Sequence, residues 1–506
     1  MMMKLIGWTV AVVVFVGGWA RGEDYAVRDL KEGEVVAVER GMVVDACRYA
    51  EKEWKVAKFD AGAGYWGDGV SDGNQGIRAI GEMVLGCGTL VKYREDLSDE
   101  EWKKLRGRMV AGIRYVTETH LTGTQKCTDG KKWGGSWQSA MWAGEMGMGA
   151  WLGWGELDDG LKKDVERVMA SEADRFLAGR PPGGVWGDTK AEENGWNLTC
   201  LVLAENMFPN NPHAGAWREK GMEYMMNTLS TPGDLTDGTV VEGRAVKDWV
   251  TGANIHSDFT LENHGIFHPS YVACSSYFLT QAAMYYKYAG KEVPGTAEHH
   301  LMDTWGMFKG IILGSGEPIY PQGMDWELHG LSVVNLFASL GTWKKDALAA
   351  RLEGREIQSL RTWQNWAGGD LMVPGSRLGF TRHACEVEQV DYAYLAHQIF
   401  GKEAEPMGAG EAEKEVEGVR DYGDVGVTLQ RTASKLVSVS WKNRVMGQVV
   451  PISGSDRENP FFTVPMVGGL FGSMQVAGAK GKDTVVEHSS RVNANGFETE
   501  GELLIG

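Results

Sequence analysis

The sequence contains no closely paired cysteines. Its six, at 47, 87, 127, 200, 274 and 385, are scattered, and none forms a Cys-x-x-Cys pair. That spacing excludes a cysteine zinc knuckle and a thioredoxin-type redox motif. Cys200 and Cys274 fall in apolar runs that read as helix cores. Mostly buried thiols are therefore expected, with one bridge possible. Basic residues are also short: 51 Lys and Arg against 68 Asp and Glu leave a formal charge of -17. No basic stripe exists to neutralise phosphates, which excludes a nucleic-acid partner. After residue 16 no stretch is apolar enough to cross a bilayer. Repeats of fixed period and low-complexity tracts are absent as well.

One apolar run does occur, at the N-terminus. Lys4 precedes an apolar segment at 5–16, and Gly18, Trp19 and Ala20 lead into the polar Arg21 to Asp24. This is the pattern of a cleaved export leader over 1–20, with a retained anchor as the alternative. The expectation is export to the periplasm or the extracellular space, with no membrane attachment after cleavage. About 485 residues remain, comfortable for two domains. The oligomeric state is not legible.

Tryptophan is what the chain has in excess, with 20 in 506 residues. An indole offers a flat apolar face and one polar edge, which suits a sugar ring as well as a core. Apolar spacing of three and four predicts helices at 36–55, 75–93, 99–119, 138–153, 158–177, 197–207, 214–228, 271–289, 298–313, 328–352 and 385–400. Ser98 followed by Asp99, Glu100 and Glu101 is a helix start. Several helices are apolar on more than one face, as if covered on two sides. Long loops rich in Gly, Trp, Asn and His fall at 60–74, 121–137, 179–196, 231–270, 314–327 and 354–384. Loops of that length inside a compact domain carry function. The expected fold is mainly α. It is an (α/α) toroid over 25–402, either incomplete or a six-paired barrel, with the long loops gathered into a cleft. A charged linker at 403–418 then leads to a small antiparallel β-sandwich-like domain at 419–506. Period-two alternation near Val425 and from Leu436 to Trp441 marks its strands, and it ends inside an apparent strand.

Five constellations could carry chemistry. Residues 131–142, KKWGGSWQSAMW, set Trp133, Trp137 and Trp142 at a loop-to-helix junction. Next, Asn194 and Asn197 flank Trp196, three residues apart and so on one face of a first helical turn. Amides there can hold a carboxylate or simply cap the helix. Residues 254–271, NIHSDFTLENHGIFHPSY, concentrate three of the chain's 11 histidines. His256, His264 and His268 could bind a metal. Equally, His264 or His268 beside Tyr271, with Asn263 nearby, could move protons. Asp325 and Trp326 enter a further helix, with Glu327 and His329 close behind. Arg377 and Arg382 fall in one short segment, cations that an anionic sugar would need.

These motifs resemble, in their order, the α/α-toroid polysaccharide lyases. The chondroitin AC and hyaluronate lyases form one branch, the heparinase II/III-like and alginate lyases another. The nearest stretch is Asp258 to Tyr271, which resembles their Asp-aromatic-Ser…His-Gly…Ser-Tyr segment. The resemblance spans about residues 60 to 400, plus the β domain that follows. It implies β-elimination on a uronic-acid polysaccharide, with no metal or other cofactor. Asn197 (or Asn194) and His264 would bind the uronate carboxylate, and Tyr271 would take the proton. Arg382 or Arg377 would favour the tyrosinate. The gap from His264 to Tyr271 is short for the chondroitin AC branch, so His268 is the second candidate for the working histidine. Trp133, Trp137, Trp142, Trp196, Asn263, Asp325, Trp326 and Arg377 would line the substrate. Two alternatives stand beside this reading. A glycoside hydrolase on the same toroid would use two carboxylates drawn from Glu192, Glu193, Glu262, Asp325 and Glu327. A non-catalytic glycan-binding protein would bind without turnover.

Overall fold

A computed structural model describes residues 29–72, 76–325, 330–372, 376–451, 484–493 and 496–504. The protein is mainly helical, with small antiparallel sheets. The helices are α1 (Glu32–Ala50), α2 (Ile77–Lys92), α3 (Asp99–Thr119), α4 (Ser139–Leu152), α5 (Asp159–Asp174), α6 (Ala191–Met207), α7 (Ala214–Thr228), α8 (Val246–Trp249), α9 (Pro269–Tyr288), α10 (Leu301–Phe308), α11 (Val334–Thr342), α12 (Ala347–Trp366), α13 (Phe380–Phe400) and α14 (Ala409–Val416). Among the described residues, α2, α4, α6, α9, α11 and α13 pack neighbour to neighbour in that order, and α13 closes back onto α2. Outside this ring, α3 lies on α2, α5 on α4, α7 on α6, α10 on α9 and α12 on α11, while α1 covers α13. Inner and outer helices alternate along the chain, which is the six-paired form of the toroid.

Composition explains which helix goes where. In α4, built from Ala, Gly, Met and Trp, 13 of 14 residues are buried. In α3, only seven of 21 are, and a capping box starts it: the Ser98 hydroxyl accepts from the Glu101 amide, and the Glu101 carboxylate accepts from the Ser98 amide. A helix apolar all round must be covered all round; one with a polar face lies outside. The ring is drawn tight by glycine. A Cβ on Gly88 would stand 2.4 Å from the Gly149 carbonyl oxygen, and one on Gly149 would stand 2.5 Å from that of Val84. The backbones of α2 and α4 therefore touch.

The boundaries differ from expectation in informative places. Residues 328–352, expected as one helix, hold the whole of α11 and the start of α12. The chain breaks between Thr342 and Ala347, where the Asp346 carboxylate caps α12 through the Ala349 amide and accepts the Trp305 indole N–H. The helix then runs to Trp366, through the first part of the expected loop at 354–384. Helix α6 begins at Ala191, so Asn194 and Asn197 lie inside it. The charged 403–418 segment carries α14. All six thiols are free, five of them buried. The leader region at 1–20 lies outside the described residues. Among those described, no helix is long and apolar enough to cross a membrane.

Short hairpins occupy the loops: β1 (Trp54–Val56) with β2 (Gly64–Trp66), β3 (Val240–Val241) with β4 (Arg244–Ala245), and β5 (Glu262–Asn263) with β6 (Ile266–Phe267). After α14, β7 (Gly418–Tyr422), β8 (Val427–Arg431), β9 (Lys435–Ser440) and β10 (Met446–Pro451) form an antiparallel meander. The ribbon of β11 (Thr484–Asn493) and β12 (Gly496–Leu504) packs against β7 and β8. A sheet and a ribbon are what the described residues contain; a complete sandwich is not among them.

Gly149→Ala measures the ring's tightness. Alanine gains about 1 kcal/mol of helix propensity, but overpacking against a carbonyl that cannot step aside costs about 1–3 kcal/mol. Denaturant unfolding is expected to show a net loss. Gly107→Ala on α3, where a Cβ meets nothing within 4 Å, should instead be neutral or stabilising.

Candidate active site

The first two turns of all six ring helices face one cleft of about 860 Å³. Arg78 comes from α2, Gln138 and Met141 from the start of α4, Trp196 from α6, Tyr271 and Tyr277 from α9, Val333 from the start of α11 and Thr381 from α13. Converging N-termini give the cleft a positive field. Each contributes roughly 0.3–1 kcal/mol toward an anion within its first turn. Arg78, bonded to Glu82 at 2.7 Å, adds a formal charge. Beneath lie Glu82, Glu145 and Glu388, all buried. Burial raises the pKa of each, and that of Glu388 to about 8 with further help from Glu82. Glu388 raised in this way carries little charge at pH 7, while Glu82 is balanced by Arg78.

At the mouth, β5 and β6 meet in a two-residue turn, His264-Gly265, with φ of 53° and 75°. Positive φ at both positions is the type I′ hairpin requirement, normally met by Asn-Gly. A histidine held there points out of the hairpin. Its Nδ1 lies 3.1 Å from Asp325 Oδ2. His268, the residue before α9, is buried, and its Nε2 comes within 3.4 Å of the other Asp325 oxygen, outside hydrogen-bonding geometry. Tyr271 packs edge-on against both imidazoles, with centroids 5.4 Å from His264 and 4.6 Å from His268.

Protonation states follow from this packing. Burial lowers the pKa of His268, which is neutral at pH 7. Contact with His268 lowers that of Asp325, partly offset by burial. Burial, then the Glu192 carboxyl, raises the Tyr271 phenol. Burial carries Glu192 to about 8. It accepts a hydrogen bond from Asn263 at 2.8 Å, and its second oxygen is buried without a partner.

The sheet domain braces the hairpin from behind. Gln322 accepts from the Phe267 amide and donates to Val425 O, Ser440 Oγ and Lys442 O, tying the hairpin to the meander. Lys442 reaches Glu262 at 2.9 Å and lies 4.1 Å over the Trp186 ring. Burial would raise Glu262, but contact with His256 and the hydrogen bond from Lys442 hold it at about 2.

Not every expected residue is in the cleft. Trp133 is buried, donates its indole N–H to Val116 O and packs on His120, so it is a core residue rather than a sugar platform. Trp142 is buried beside it. Asn194 spends its amide on the carbonyls of Pro182 and Asn227 and has no exposed surface to offer a ligand. Arg382 is buried and paired with Glu386, and it donates to Gly330 O; that pairing, rather than a tyrosinate, takes its charge. Arg377 is exposed and donates to Asp325 O at 3.5 Å. Trp137 is 65% exposed and meets Trp196 edge to face on the cleft wall. Asn197 is buried, with an unpartnered Oδ1. Asn263 belongs to the Glu192 contact. Trp326 and Glu327 lie outside the described residues.

Sequence reasoning passed over Arg78, Trp186 and Lys442. The lone arginine in an otherwise apolar α2 was a usable signal. Trp186, 64% exposed in a Gly-Pro loop, was another. Lys442 had none, since only the fold brings it to Glu262.

Among the described residues, His264, His268 and Asp325 form the first group close enough to hold a metal; Asp234, His299 and His300 form another, and Glu39, Glu353 and His397 a third. His256, expected with the first, contacts Glu262 and Trp186 instead.

No family model matches the chain, and no curated protein matches it. Among solved structures it is similar to the GH76A α-1,6-mannanase of Salegentibacter sp. HEL1_6, with 13% identity, a TM-score of 0.40, and coverage of 72% of this chain and 99% of that one. It is also similar to an inactive variant of that enzyme in complex with α-1,6-mannotriose, with 12% identity, a TM-score of 0.39 and the same coverage. Likeness at this level assigns no cleft residue a role.

The Lys442–Glu262 contact predicts a pH signature. A depressed carboxylate contributes stability above its unfolded value, near 4.5, and loses it as pH falls through about 2. Lys442→Met should lower Tm at pH 6, with the gap to wild type closing toward pH 2. A gap constant with pH would mean that the ion pair is not its source.

Proposed function

We propose that the protein is an exported enzyme acting on an acidic polysaccharide, and that it cleaves a uronic-acid linkage by β-elimination. The observation that carries this reading is the Tyr271–His268–His264–Asp325 cluster beside a cleft ringed by helix N-termini. The polymer's carboxylate would sit among Arg78, the neutral Glu192 and Asn197, whose charge and hydrogen bonds spread the negative charge that builds up when the neighbouring C–H proton leaves. His268, neutral and backed by Asp325, is suited to take that proton, directly or through His264. Tyr271, protonated at rest, is suited to give one to the departing glycosidic oxygen as the C–O bond breaks and the C=C bond forms. This exchanges the roles expected from the resemblance, because burial and then the Glu192 carboxyl disfavour the tyrosinate. Trp137 and Trp196 offer apolar faces to the sugar rings.

Glycoside hydrolysis is the second reading, and one observation favours it. Glu192 is raised and Asp325 lowered, the split of an acid and a base. Against it, Asp325 is engaged by two imidazoles and Glu262 by Lys442 and His256.

A panel of uronate polymers, with neutral glycans including an α-1,6-mannan, separates the two. Elimination predicts ultraviolet absorbance from an unsaturated product. Tyr271→Phe, and His264→Asn, which keeps the left-handed turn, should each lose about 10²- to 10⁴-fold in rate. Activity should fall above about pH 8 as Glu192 deprotonates, and Glu192→Gln should remove that limb. New reducing ends without absorbance, retained in Tyr271→Phe and abolished in Glu192→Gln, would replace elimination by hydrolysis.

A further inference from the structure

On the side of the toroid where α1 covers α13, three elements bring acids together around one imidazole. Glu39 of α1 and Glu353 of α12 are fully buried, as nearly are His397 of α13 and Glu403 beyond it. His397 Nε2 lies 2.6 Å from Glu353 Oε1 and 4.0 Å from Glu39 Oε2. Its Nδ1 lies 3.9 Å from Glu32, whose carboxylate accepts the Glu403 amide. Both oxygens of Glu39, both of Glu403, Oε2 of Glu353 and Nδ1 of His397 are buried without a hydrogen-bond partner.

Four carboxyls against one imidazole is not a charge balance that a dry interior tolerates. Glu39 is raised by burial, then by Glu353 and Glu403; Glu403 is raised by burial, then by Glu353, Glu32 and Glu405. The named neighbours of both are acids. Either protons or a cation must supply the missing positive charge. The geometry favours a cation: donor atoms of Glu39, Glu353 and His397 all lie within 4.8 Å of one another. Ligands opposite each other across an ion with bonds of about 2.0–2.2 Å are separated by about 4.0–4.4 Å. Carboxylates with one imidazole suit a first-row divalent ion.

We propose that Glu39, Glu353 and His397, with Glu403 beside them, form a structural site for a divalent ion of the Mn2+ or Zn2+ type, which staples α1 to α12 and α13. Binding to the folded chain alone would stabilise it by mass action.

The test uses the full chain, stripped with a chelator and titrated separately with MnCl2 and ZnCl2. One equivalent should bind, as read by elemental analysis after dialysis, and Tm should fall on stripping and recover on addition. The gain should vanish in Glu39→Gln/Glu353→Gln and persist in Asp234→Asn and His264→Asn, which alter the other two candidate groups. Bound Mn2+ should also show electron-spin-echo modulation from one imidazole nitrogen, which does not depend on any variant folding. A Tm indifferent to metal and chelator, a response unchanged in the double variant, or bound Mn2+ without nitrogen coupling would each overturn the site and leave shared protons as the answer.

Discussion

Six helices closed into a ring have no solvent face, and most of what is distinctive here follows from that. A residue on an inner helix meets another helix on every side, so size is limited where backbones touch. Gly88 and Gly149 are the sharpest case: neither can carry a side chain without parting α2 from α4. Charge is limited in the same way. Burial raises Glu145 and Glu388, which cannot reach water, while Glu82 and Arg78 pair with each other. The ends of the helices are the places where the ring can meet a ligand.

The N-terminal end is where the long loops gather, and each is fastened by a specific contact. The I′ turn at His264-Gly265 sets the direction of one imidazole. Gln322 fastens that hairpin to the meander through four hydrogen bonds. Lys442, from the sheet, then neutralises Glu262 and rides over Trp186. The sheet domain thus holds the hairpin that carries His264.

How much could be read from residues alone varied with the kind of signal. Helices with local punctuation were legible to the residue. Ser98 and Glu101 mark the start of α3, which spans 99–119 as expected. The break between α11 and α12 was not, because an Ala/Leu-rich stretch runs on past Asp346 without a proline, and its one glycine before α12, Gly341, lies inside α11. Asp346 acts as a cap only once Trp305 fixes its other oxygen. Tryptophans were legible as a class but not singly. Trp133 and Trp137 stand four apart in one loop, and one is core while the other is exposed. The histidine cluster was legible because its members are close in sequence. Asp325, which joins two of them, was recognised as a candidate but not as their partner, since more than fifty residues intervene.

Tyr271 and His268 share an environment that acts on them in opposite senses. Burial disfavours whichever form is charged, so it keeps the phenol protonated and the imidazole unprotonated. One apolar surrounding thereby sets a proton donor and a proton acceptor side by side, 4.6 Å between ring centroids. Asp325 makes a charged imidazolium tolerable once a proton arrives. The phenol instead feels Glu192, Cys274, Asp325 and Asp188, each of which raises it further. In the elimination proposed above, this arrangement would have the histidine take the substrate proton and the tyrosine give one to the leaving group.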